Sequence, residues 1–454
     1  MTGDGVPQSA SVRRQLDEDI VGLVLSFCRR FAEVGGLARS LLGEEMPRLG
    51  LEPADRRAVA AGFYRVLRLR RRIEFALQHA GAALADRDVD RAAYFAALVL
   101  DGCIAPEAAA ERARLGRERI DFRAVAGIDA VIAAEPDPVR RFGLTHSVPD
   151  WLAERFLAEF GSEADAVVRG LNGWPPLTVR ANTLHVTREA LAEEFHALGC
   201  RTEPTRHAPH GLVVEGDVNL FRLPPYQAGR FEQQDEASQL CALLVQPPPR
   251  GTVLDACAGS GGKTLALAAA MANRGTILAV DVSRHKLAEL VQRRRRARTD
   301  NVRSKVVRAD GWPDDVRNFA AQADRILIDA PCDGVGSWRR RPDARWRLRP
   351  EHQETVGRKQ RALLDRAAAA LQPGARIVYA TCTVFHAQNE AQVEALVARD
   401  PGLEIVPITE VLGRAAAEPI ADPSGRFLRT FPHRHGADGF FAAVLRRRRI
   451  PRAG

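Results

Sequence analysis

Three absences narrow the classes of protein that this sequence can encode. Among its 454 residues, no uninterrupted apolar run approaches the roughly 18 residues that would span a bilayer, so no membrane partner is expected. The N-terminal stretch MTGDGVPQSASVRRQLDEDI lacks the apolar core of a secretory signal. The seven cysteines form no C-x-x-C pair and no disulfide framework. We therefore expect a cytoplasmic protein with reduced cysteines and no metal site.

Positive charge is what the sequence has in excess, with 66 Lys and Arg residues against 57 Asp and Glu and a net charge of +9. A positive surface attracts a polyanion such as a nucleic acid. The arginines concentrate in clusters at residues 68–72, 293–296, 339–349 and 446–449. A solvated surface would explain any one cluster equally well. The cluster around Trp338 and Trp346 favours nucleic acid because aromatic rings alternate there with guanidinium groups.

The pattern of apolar residues predicts three domains. Residues 1–140 carry apolar residues at helical spacing and no strand-type run, which predicts an all-helical domain. Two prolines in AAEPDPVRR indicate a linker near residues 133–141. Residues 141–235 combine the strand-like runs PLTVRANTL and GLVVEG with a helix, REALAEEFHALG, which predicts a small α+β unit.

Residues 236–449 form the third domain, in which short apolar runs alternate with helical segments. The runs are GTVLDAC, GTILAVDV, RSKVVRAD, DRILIDAP and GARIVYATC. This alternation predicts a doubly wound, Rossmann-like α/β fold with a parallel sheet. The final run, GFFAAVLRR, can add an edge strand.

A glycine-rich loop, VLDACAGSGGKT, follows the first of these strands and opens a helix. Its glycines allow the backbone to approach a ligand closely. A dinucleotide fingerprint is incomplete because Thr264 stands at the third glycine position. A triphosphate-binding loop is incomplete because Cys257 stands at its first glycine position. The third alternative is a nucleoside cofactor that has no pyrophosphate.

Acidic residues at the ends of the next three strands favour that third alternative. Asp281 ends GTILAVDV, Asp310 ends VVRAD and Asp329 ends ILIDAP. Each carboxylate alone could simply cap a turn. Together they would line the carboxyl edge of a parallel sheet, where such folds bind ligands, and Asp281 has the spacing of a ribose contact. S-adenosylmethionine, with its ribose, adenine and cationic centre, suits such an edge.

Two cysteines follow strands at the same edge, Cys332 in DAPCDG and Cys382 in YATCTV. A free cysteine is more often an inert core residue, but loops at this edge form active sites. Methylation of carbon 5 of a pyrimidine needs a thiol, because that carbon becomes nucleophilic only after a thiolate adds to carbon 6. The reaction also needs a hydrogen-bonding group near N3 and N4 of the base, for which Asp329 is well placed.

Seven strings carry a resemblance to a known family. They are QQDEASQL (233–240), VLDACAGSGGKT (253–264), AVDVSRHKL (279–287), VVRADG (306–311), ILIDAPCDGVGSWRRRPDARW (326–346), GARIVYATCTVFHAQNE (374–390) and HGADGFFAAVLRR (435–447). In these strings, and above all in DAPC followed by ATC, the chain resembles the NOL/NOP/Sun family of RNA cytosine-5 methyltransferases, in particular its bacterial RsmB-type members.

The resemblance implies a role for each matching residue. Cys382 would be the nucleophile that attacks carbon 6, Cys332 would assist release of the product, and Asp329 would face the target cytosine. The S-adenosylmethionine site would comprise Cys257, Ala258, Gly259, Ser260, Gly261, Gly262, Lys263, Asp281, Asp310 and Asp329. The helical domain would be NusB-like and bind RNA, and the α+β unit would be an RNA-recognition-like extension. The expected enzyme is a monomer that makes 5-methylcytosine in 16S ribosomal RNA.

Three departures from the family pattern lie close to these residues. Gly259 and Ser260 replace the Ala-Pro of the usual loop C-A-A-P-G-G-K. Asp333 stands where Ser or Thr is common, and Gln388 opens a string that usually reads E-N-E. None of the three removes a catalytic atom.

Two other functions compete with this interpretation. A non-catalytic RNA-binding ribosome assembly factor with a methyltransferase fold would be favoured by the arginine clusters alone. A methyltransferase for adenine amino groups would need no thiol, and it usually carries Asn/Asp-Pro-Pro-aromatic where this chain has Asp-Ala-Pro-Cys.

Overall fold

The computed structural model describes residues 10–81, 86–115, 120–216 and 218–448. The chain forms two compact units, Met1–Asn172 with Arg340–Leu348, and Gly173–Arg339 with Arg349–Gly454. The helices between residues 138 and 172 thus cluster with the N-terminal unit. The domain boundaries at residues 140 and 235 remain predictions.

The first unit is helical throughout its described part, as the sequence predicts. Its helices are α1 (Ala10–Gln15), α2 (Glu18–Val34), α3 (Ala38–Glu45), α4 (Pro53–His79), α5 (Asp86–Leu100), α6 (Pro106–Ala113), α7 (Phe122–Ala126), α8 (Ile128–Ala133), α9 (Pro138–His146), α10 (Asp150–Phe160) and α11 (Ala164–Asn172). Gly62 allows α4 to approach its neighbours, since an added Cβ there would lie 2.9 Å from Val24 Cγ2. The likeness of this unit to NusB remains a prediction.

The segment Arg340–Leu348 is packed into this helical unit. Arg345 is fully buried, and its Nη1 donates to Asn172 Oδ1 at 2.6 Å. The indole Nε1 of Trp346 donates to the carbonyl oxygen of Leu67 at 2.7 Å. Trp338, in the second unit, has no exposed surface. A stacking platform needs exposed rings, so the prediction that Trp338 takes part in a nucleic-acid surface is wrong, whereas the ring of the half-buried Trp346 keeps that role as a prediction.

A small antiparallel sheet opens the second unit. Its elements are β1 (Leu177–Ala181), α12 (Arg188–Ala197), β2 (Thr202–Pro204), β3 (Gly211–Val214), α13 (Pro224–Gln227) and β4 (Phe231–Gln233), and the strand order is β2-β3-β1-β4. The hydroxyl of Thr187 caps α12 by accepting from the backbone N–H of Ala190 at 3.1 Å. Phe195 of α12 packs on Phe231 of β4, with ring centroids 5.2 Å apart. The predicted α+β unit is thus present.

The rest of the second unit is a doubly wound α/β domain. Its elements are α14 (Glu236–Leu243), β5 (Thr252–Asp255), α15 (Gly262–Ala270), β6 (Thr276–Asp281), α16 (Arg284–Arg296), β7 (Val302–Val306), α17 (Asp314–Ala320), β8 (Arg325–Asp329), α18 (Ala344–Arg347, in the segment of the first unit), α19 (Pro350–Ala370), β9 (Arg376–Thr381), α20 (Glu390–Arg399), β10 (Leu403–Val406), α21 (Ile408–Leu412), α22 (Arg414–Ala417), β11 (Leu428–Thr430), α23 (Pro432–His435) and β12 (Phe440–Arg447). Short 3₁₀ segments lie at Met46–Leu49, Gly161–Glu163, Leu220–Arg222, Val335–Arg340, His386–Gln388 and Glu418–Ile420.

The strand order places the ligand-binding edge of this domain. The large sheet runs β10-β12-β9-β8-β5-β6-β7, with β11 paired to β12. Strands β5 to β9 are parallel to one another. Strands β6 and β7 lie on one side of β5, and β8 and β9 lie on the other side, so the direction in which the chain adds strands reverses between β5 and β8. Ligands of such sheets bind at the carboxyl ends of the strands beside this reversal. The loops after β5, β6, β8 and β9 therefore define the site.

Three details of the sheet differ from the prediction. Strand β12 is not an edge strand, because it lies antiparallel between β9 and β10. Edge strand β10 was not predicted, because LEIV is too short to show a pattern. Asp310 does not end a strand either, since β7 ends at Val306.

Candidate active site

The glycine-rich loop makes a tight turn from β5 into α15. Gly259 and Gly261 have φ of +54° and +84°, which glycine adopts without strain. A Cβ on Gly261 would lie 2.1 Å from Leu290 Cδ1 of α16, so only glycine fits there. A Cβ on Gly259 would meet no atom within 4 Å. The loop is thus packed on one side and open beside Gly259, where a ligand fits.

Asp281 lies beside this loop as predicted. Its Oδ2 accepts from the backbone N–H of Gly259 at 2.8 Å, and its Oδ1 accepts from the N–H of Ser283 at 2.8 Å. These bonds fix a carboxylate at the end of β6 next to the open side of the loop. A fixed acceptor for ribose hydroxyls beside open glycine backbone suits the adenosine part of S-adenosylmethionine.

Asp310 lies in a turn beyond β7, closed by a bridge between Arg308 and Gly311. The carboxylate is largely exposed and pairs with Arg308 at 3.2 Å, and this pairing lowers the pKa of Asp310. Its role as a cofactor ligand remains a prediction.

Lys263 and Asp329 form an ion pair that the sequence analysis did not foresee. Lys263 Nζ, at the start of α15, lies 2.7 Å from Asp329 Oδ2, at the end of β8. The lysine side chain is 7% exposed and lies 5.1 Å from the ring centroid of Phe440. Burial lowers the pKa of Lys263, but Asp329 and nearby thiols, including Cys382, outweigh it and raise that pKa above its ordinary value. Lys263 therefore stays charged and holds Asp329 at the sheet edge.

The two predicted thiols meet at the same edge. Strands β8 and β9 are parallel neighbours, with Asp329 opposite Ala380, so the residues that follow them come together. Cys332 Sγ lies 3.3 Å from Cys382 Sγ, and both cysteines are free and half-buried. The hydrogen bond with Cys382 and burial raise the pKa of the Cys332 thiol well above its ordinary value. A hydrogen-bonded pair of thiols thus occupies the carboxyl edge of the sheet.

A layer of amide side chains lies beneath the thiols, and sequence reasoning missed it. Gln388 Nε2 donates to Asp333 Oδ2 and to Gln353 Oε1, both at 2.5 Å. Gln388 Oε1 accepts from the backbone N–H of Asp333 at 3.2 Å and from Gln360 Nε2 at 3.3 Å. These bonds connect the loop after Cys332 with the segment after Cys382.

Asp255 is a third feature that the sequence did not single out. It ends β5, is 1% exposed, and accepts a hydrogen bond from Thr264 Oγ1 at 2.7 Å. Burial raises the pKa of Asp255 to about 7, although the Thr264 bond opposes the rise. Burial also raises the pKa of the adjacent Cys257 thiol well above its ordinary value. Cys257 therefore lacks the lowered pKa of a reactive thiol.

Within residues 10–81, 86–115, 120–216 and 218–448, no helix is both long and apolar enough to cross a bilayer. The same ranges contain no group of three or more His, Cys, Asp or Glu residues placed to hold a metal ion.

Comparison with known proteins identifies families that match this chain. A family model described as 16S rRNA methyltransferase RsmB/F matches residues 242–446. A second, described as the ferredoxin-like domain of RsmF/B-like methyltransferases, matches residues 148–220. The predicted RNA-recognition-like unit is thus better described as ferredoxin-like.

Individual relatives agree with these matches. The probable ribosomal RNA small subunit methyltransferase B of Synechocystis sp. is 32% identical over 307 residues, which cover 67% of this chain and 68% of that protein. The protein of the same name from Bacillus subtilis is 30% identical over 329 residues, 71% of each chain.

Solved structures share the fold. The crystal structure of PH0851 has a TM-score of 0.75 at 24% identity, covering 98% of this chain and all of that one. The structure of NSun6 from Pyrococcus horikoshii with SFG has a TM-score of 0.58 at 22% identity, covering 66% of this chain and 99% of that one. The two relatives are at least 30% identical to this chain, and each match covers two thirds or more of both proteins. The chain therefore belongs to the RsmB/F methyltransferases of the NOL/NOP/Sun family, whose methyl donor is S-adenosylmethionine.

Proposed function

We propose that this protein methylates carbon 5 of a cytosine in small-subunit (16S) ribosomal RNA through a covalent cysteine adduct. The observation that carries the proposal is the thiol pair, with Cys332 and Cys382 Sγ atoms 3.3 Å apart at the ends of adjacent strands. Transfer of a methyl group to a heteroatom needs no thiol, whereas methylation of carbon 5 needs one to activate the ring. The pair therefore favours cytosine carbon 5 over an adenine amino group.

Cys382 is assigned as the nucleophile from its place in the family motif. The hydrogen bond with Cys382 and burial raise the pKa of the Cys332 thiol, which suits Cys332 to a role other than the nucleophile. Cys382 adds to carbon 6, and the electron pair of the C5–C6 double bond moves to carbon 5. S-adenosylmethionine supplies the electrophilic methyl group. A general base then removes the carbon 5 proton, the electron pair of that C–H bond restores the C5–C6 double bond, and the bond between carbon 6 and sulfur breaks to release the Cys382 thiolate. Cys332 assists this release.

Asp329 is the group proposed to face the base. Its Oδ2 is occupied by Lys263, and 34% of its side chain is exposed at the sheet edge. A carboxylate held in this way can accept a hydrogen bond from the cytosine N4 amino group. Lys263 holds the carboxylate in place, because its charged Nζ lies 2.7 Å from Asp329 Oδ2.

Two observations support ribosomal RNA as the substrate. Relatives named ribosomal RNA small subunit methyltransferase B match along most of the chain, and the net charge of +9 suits a polyanion. RNA binding by the helical unit, a monomeric state and a cytoplasmic setting remain predictions alongside this substrate.

The test compares three cysteine variants on small-subunit RNA with S-adenosylmethionine. Cys382→Ala should make no 5-methylcytosine, because no sulfur is left to activate the ring. Cys332→Ala should accumulate a protein–RNA adduct that survives a denaturing gel, since addition proceeds and release is impaired. Cys200→Ser, in the α+β unit, serves as a matched cysteine control and should behave as the wild type.

The double variant Cys332→Ala/Cys382→Ala should form no adduct. Methylation at the wild-type rate by Cys382→Ala would overturn the covalent mechanism. A wild-type protein that binds RNA but transfers no methyl group would favour the non-catalytic assembly factor.

A further inference from the structure

Helix α16 carries the contacts that hold the cofactor loop in place. Leu290 of this helix packs directly on Gly261 of the loop. Arg293 Nη1 donates to the carbonyl oxygen of Ser260 at 2.7 Å. The hydroxyl of Ser260 donates to Glu289, also on α16. One helix face therefore restrains Ser260 through both its backbone and its side chain.

Restraint matters here because the loop is intrinsically flexible. Ser260 lies between Gly259 and Gly261, both at positive φ. Glycine loses more conformational freedom on ordering than any other residue, so a Gly-Ser-Gly turn needs external contacts to keep one shape. A loop that is already ordered binds its ligand more tightly, because less entropy is lost on binding.

The C-terminal end of α16 is held in turn by the small α+β unit. Asn182 Nδ2 donates to the carbonyl oxygen of Ala297 at 3.2 Å, and a ring nitrogen of His185 lies 2.9 Å from the same oxygen. A Cβ on Gly229 would lie 2.0 Å from the carbonyl oxygen of Arg296, so the two backbones are in close contact. The α+β unit thus fixes where α16 lies.

Glu232 of β4 is the link between the two sets of contacts. Its side chain is 3% exposed. Oε2 accepts from Arg293 Nη2 at 2.9 Å and from Arg293 Nε at 3.1 Å. Oε1 accepts from Arg296 Nη2 at 2.5 Å. The two bonds to Arg293 set the plane of its guanidinium group, and Nη1 of that group then reaches Ser260.

We propose that Glu232 is a positioning residue for S-adenosylmethionine, acting through Arg293 on the Ser260 carbonyl. The small α+β unit would then take part in cofactor binding, since its β4 strand orders the cofactor loop of the neighbouring domain. The inference rests on the cofactor and is independent of the cytosine chemistry proposed above.

The test measures S-adenosylmethionine binding directly, by titration calorimetry on the full chain without RNA. Arg293→Lys keeps the charge beside Glu232 but loses the planar fork that reaches Ser260. Its Kd should rise about tenfold, within the usual range for coupling between two sites. Glu232→Gln should raise Kd by a similar factor, and the double variant should bind no more weakly than Arg293→Lys alone, because both changes remove one contact.

Arg294→Lys is the matched control. Arg294 lies on the same helix and donates to the carbonyl oxygen of Val302, away from Glu232 and the loop. Its Kd should stay within about twofold of the wild type. Steady-state rates give a second measurement, in which Arg293→Lys should raise the KM for S-adenosylmethionine and leave the KM for RNA unchanged, whereas a general loss of structure would affect both.

Equal Kd values for Arg293→Lys and Arg294→Lys would overturn the inference. A Glu232→Gln protein that melts cooperatively and keeps the wild-type Kd would do the same, and if Glu232→Gln does not fold, Arg293→Lys decides alone. Failure of the proposed cytosine methylation would leave all of these Kd values unaffected, so the two proposals can fail separately.

Discussion

Gly336 is where a single methyl group should disturb the proposed nucleophile without removing any catalytic atom. Its backbone N–H donates to the carbonyl oxygen of Cys382 at 2.9 Å, and its own carbonyl oxygen accepts from the N–H of Gly439 at 2.8 Å. The residue thus joins the segments that carry Cys332, Cys382 and the start of β12. Gly336→Ala adds one Cβ at the centre of this junction.

The size of the disturbance follows from the geometry. The new Cβ would lie 1.8 Å from the carbonyl oxygen of Gly439 and 2.9 Å from that of Cys382, whereas real Cβ atoms stay at least 3.0 Å from such neighbours. The backbone must therefore move by about 1.2 Å, the difference between 3.0 and 1.8 Å. A misplacement of about 1 Å at a reacting group can lower the rate about 100-fold. Overpacking of this kind also destabilises a fold by about 1–3 kcal/mol.

The assay is methyl transfer to RNA, measured beside a urea denaturation curve. We expect Gly336→Ala to fold, with lower stability, and to lose about two orders of magnitude in kcat. Gly357→Ala, in helix α19, is the control, because its Cβ would make an ordinary 3.6 Å contact with Gln392 Nε2. That variant should keep its activity and gain about 0.5–1 kcal/mol of stability. Full activity of Gly336→Ala would refute the claim that this junction sets the position of Cys382.

Three further predictions concern the layers around the site. Burial raises the pKa of Asp255 from 3.8 to about 7, so the folded protein holds a proton that the unfolded chain releases above about pH 4. The free energy of unfolding of the wild type should therefore fall relative to that of Asp255→Asn as pH rises from about 4 to 7, by at most about 4 kcal/mol. If urea denaturation gave the same difference between the two proteins at pH 5 and at pH 8, this prediction would be contradicted. Gln388→Glu should destabilise the protein by about 3 kcal/mol, because two buried carboxylates would face each other, and adding Asp333→Asn should restore the melting temperature; no loss in the single variant would argue against the pairing. Trp338→Ala should lower the free energy of unfolding by about 3–5 kcal/mol, while Trp338→Phe should keep the wild-type RNA affinity in a filter-binding assay, as expected of a core residue; weaker binding by a folded Trp338→Phe would restore a stacking role.

The sequence predicted the fold where a local pattern decides the structure. The runs behind β5, β6, β8 and β9 are largely apolar, because these strands lie inside the sheet and are buried on both faces. The fifth run became β7, VRSKV, which is the edge strand and is mostly exposed. Position within the sheet is not a local property. β12 was therefore expected at an edge, although it lies between β9 and β10, whose short sequence LEIV carries no signal of its own.

The position of the site at one edge of the sheet could also be predicted, but the contacts within the site could not. Strand ends that carry Asp281, Asp329, Cys332 and Cys382 could be assigned to one edge, because parallel strands bring their carboxyl ends together. Contacts between those ends could not be assigned, because they depend on register and on rotamers. The ion pair between Lys263 and Asp329 joins residues 66 positions apart, and nothing in either local sequence announces it.

Contacts of this kind change how the departures of this chain from its family pattern should be judged. Asp333 and Gln388 lie 55 positions apart in the sequence, and each taken alone looks like a loss. In the structure they pair with each other, since the amide of Gln388 donates to the carboxylate of Asp333 and accepts from its backbone N–H. A glutamate at 388 would turn the first of these bonds into a repulsion, and a serine at 333 would remove the acceptor that Gln388 Nε2 now uses. Because each substitution suits the other, the layer beneath Cys332 and Cys382 stays hydrogen-bonded. The two departures therefore leave the segments that carry the two thiols joined to each other.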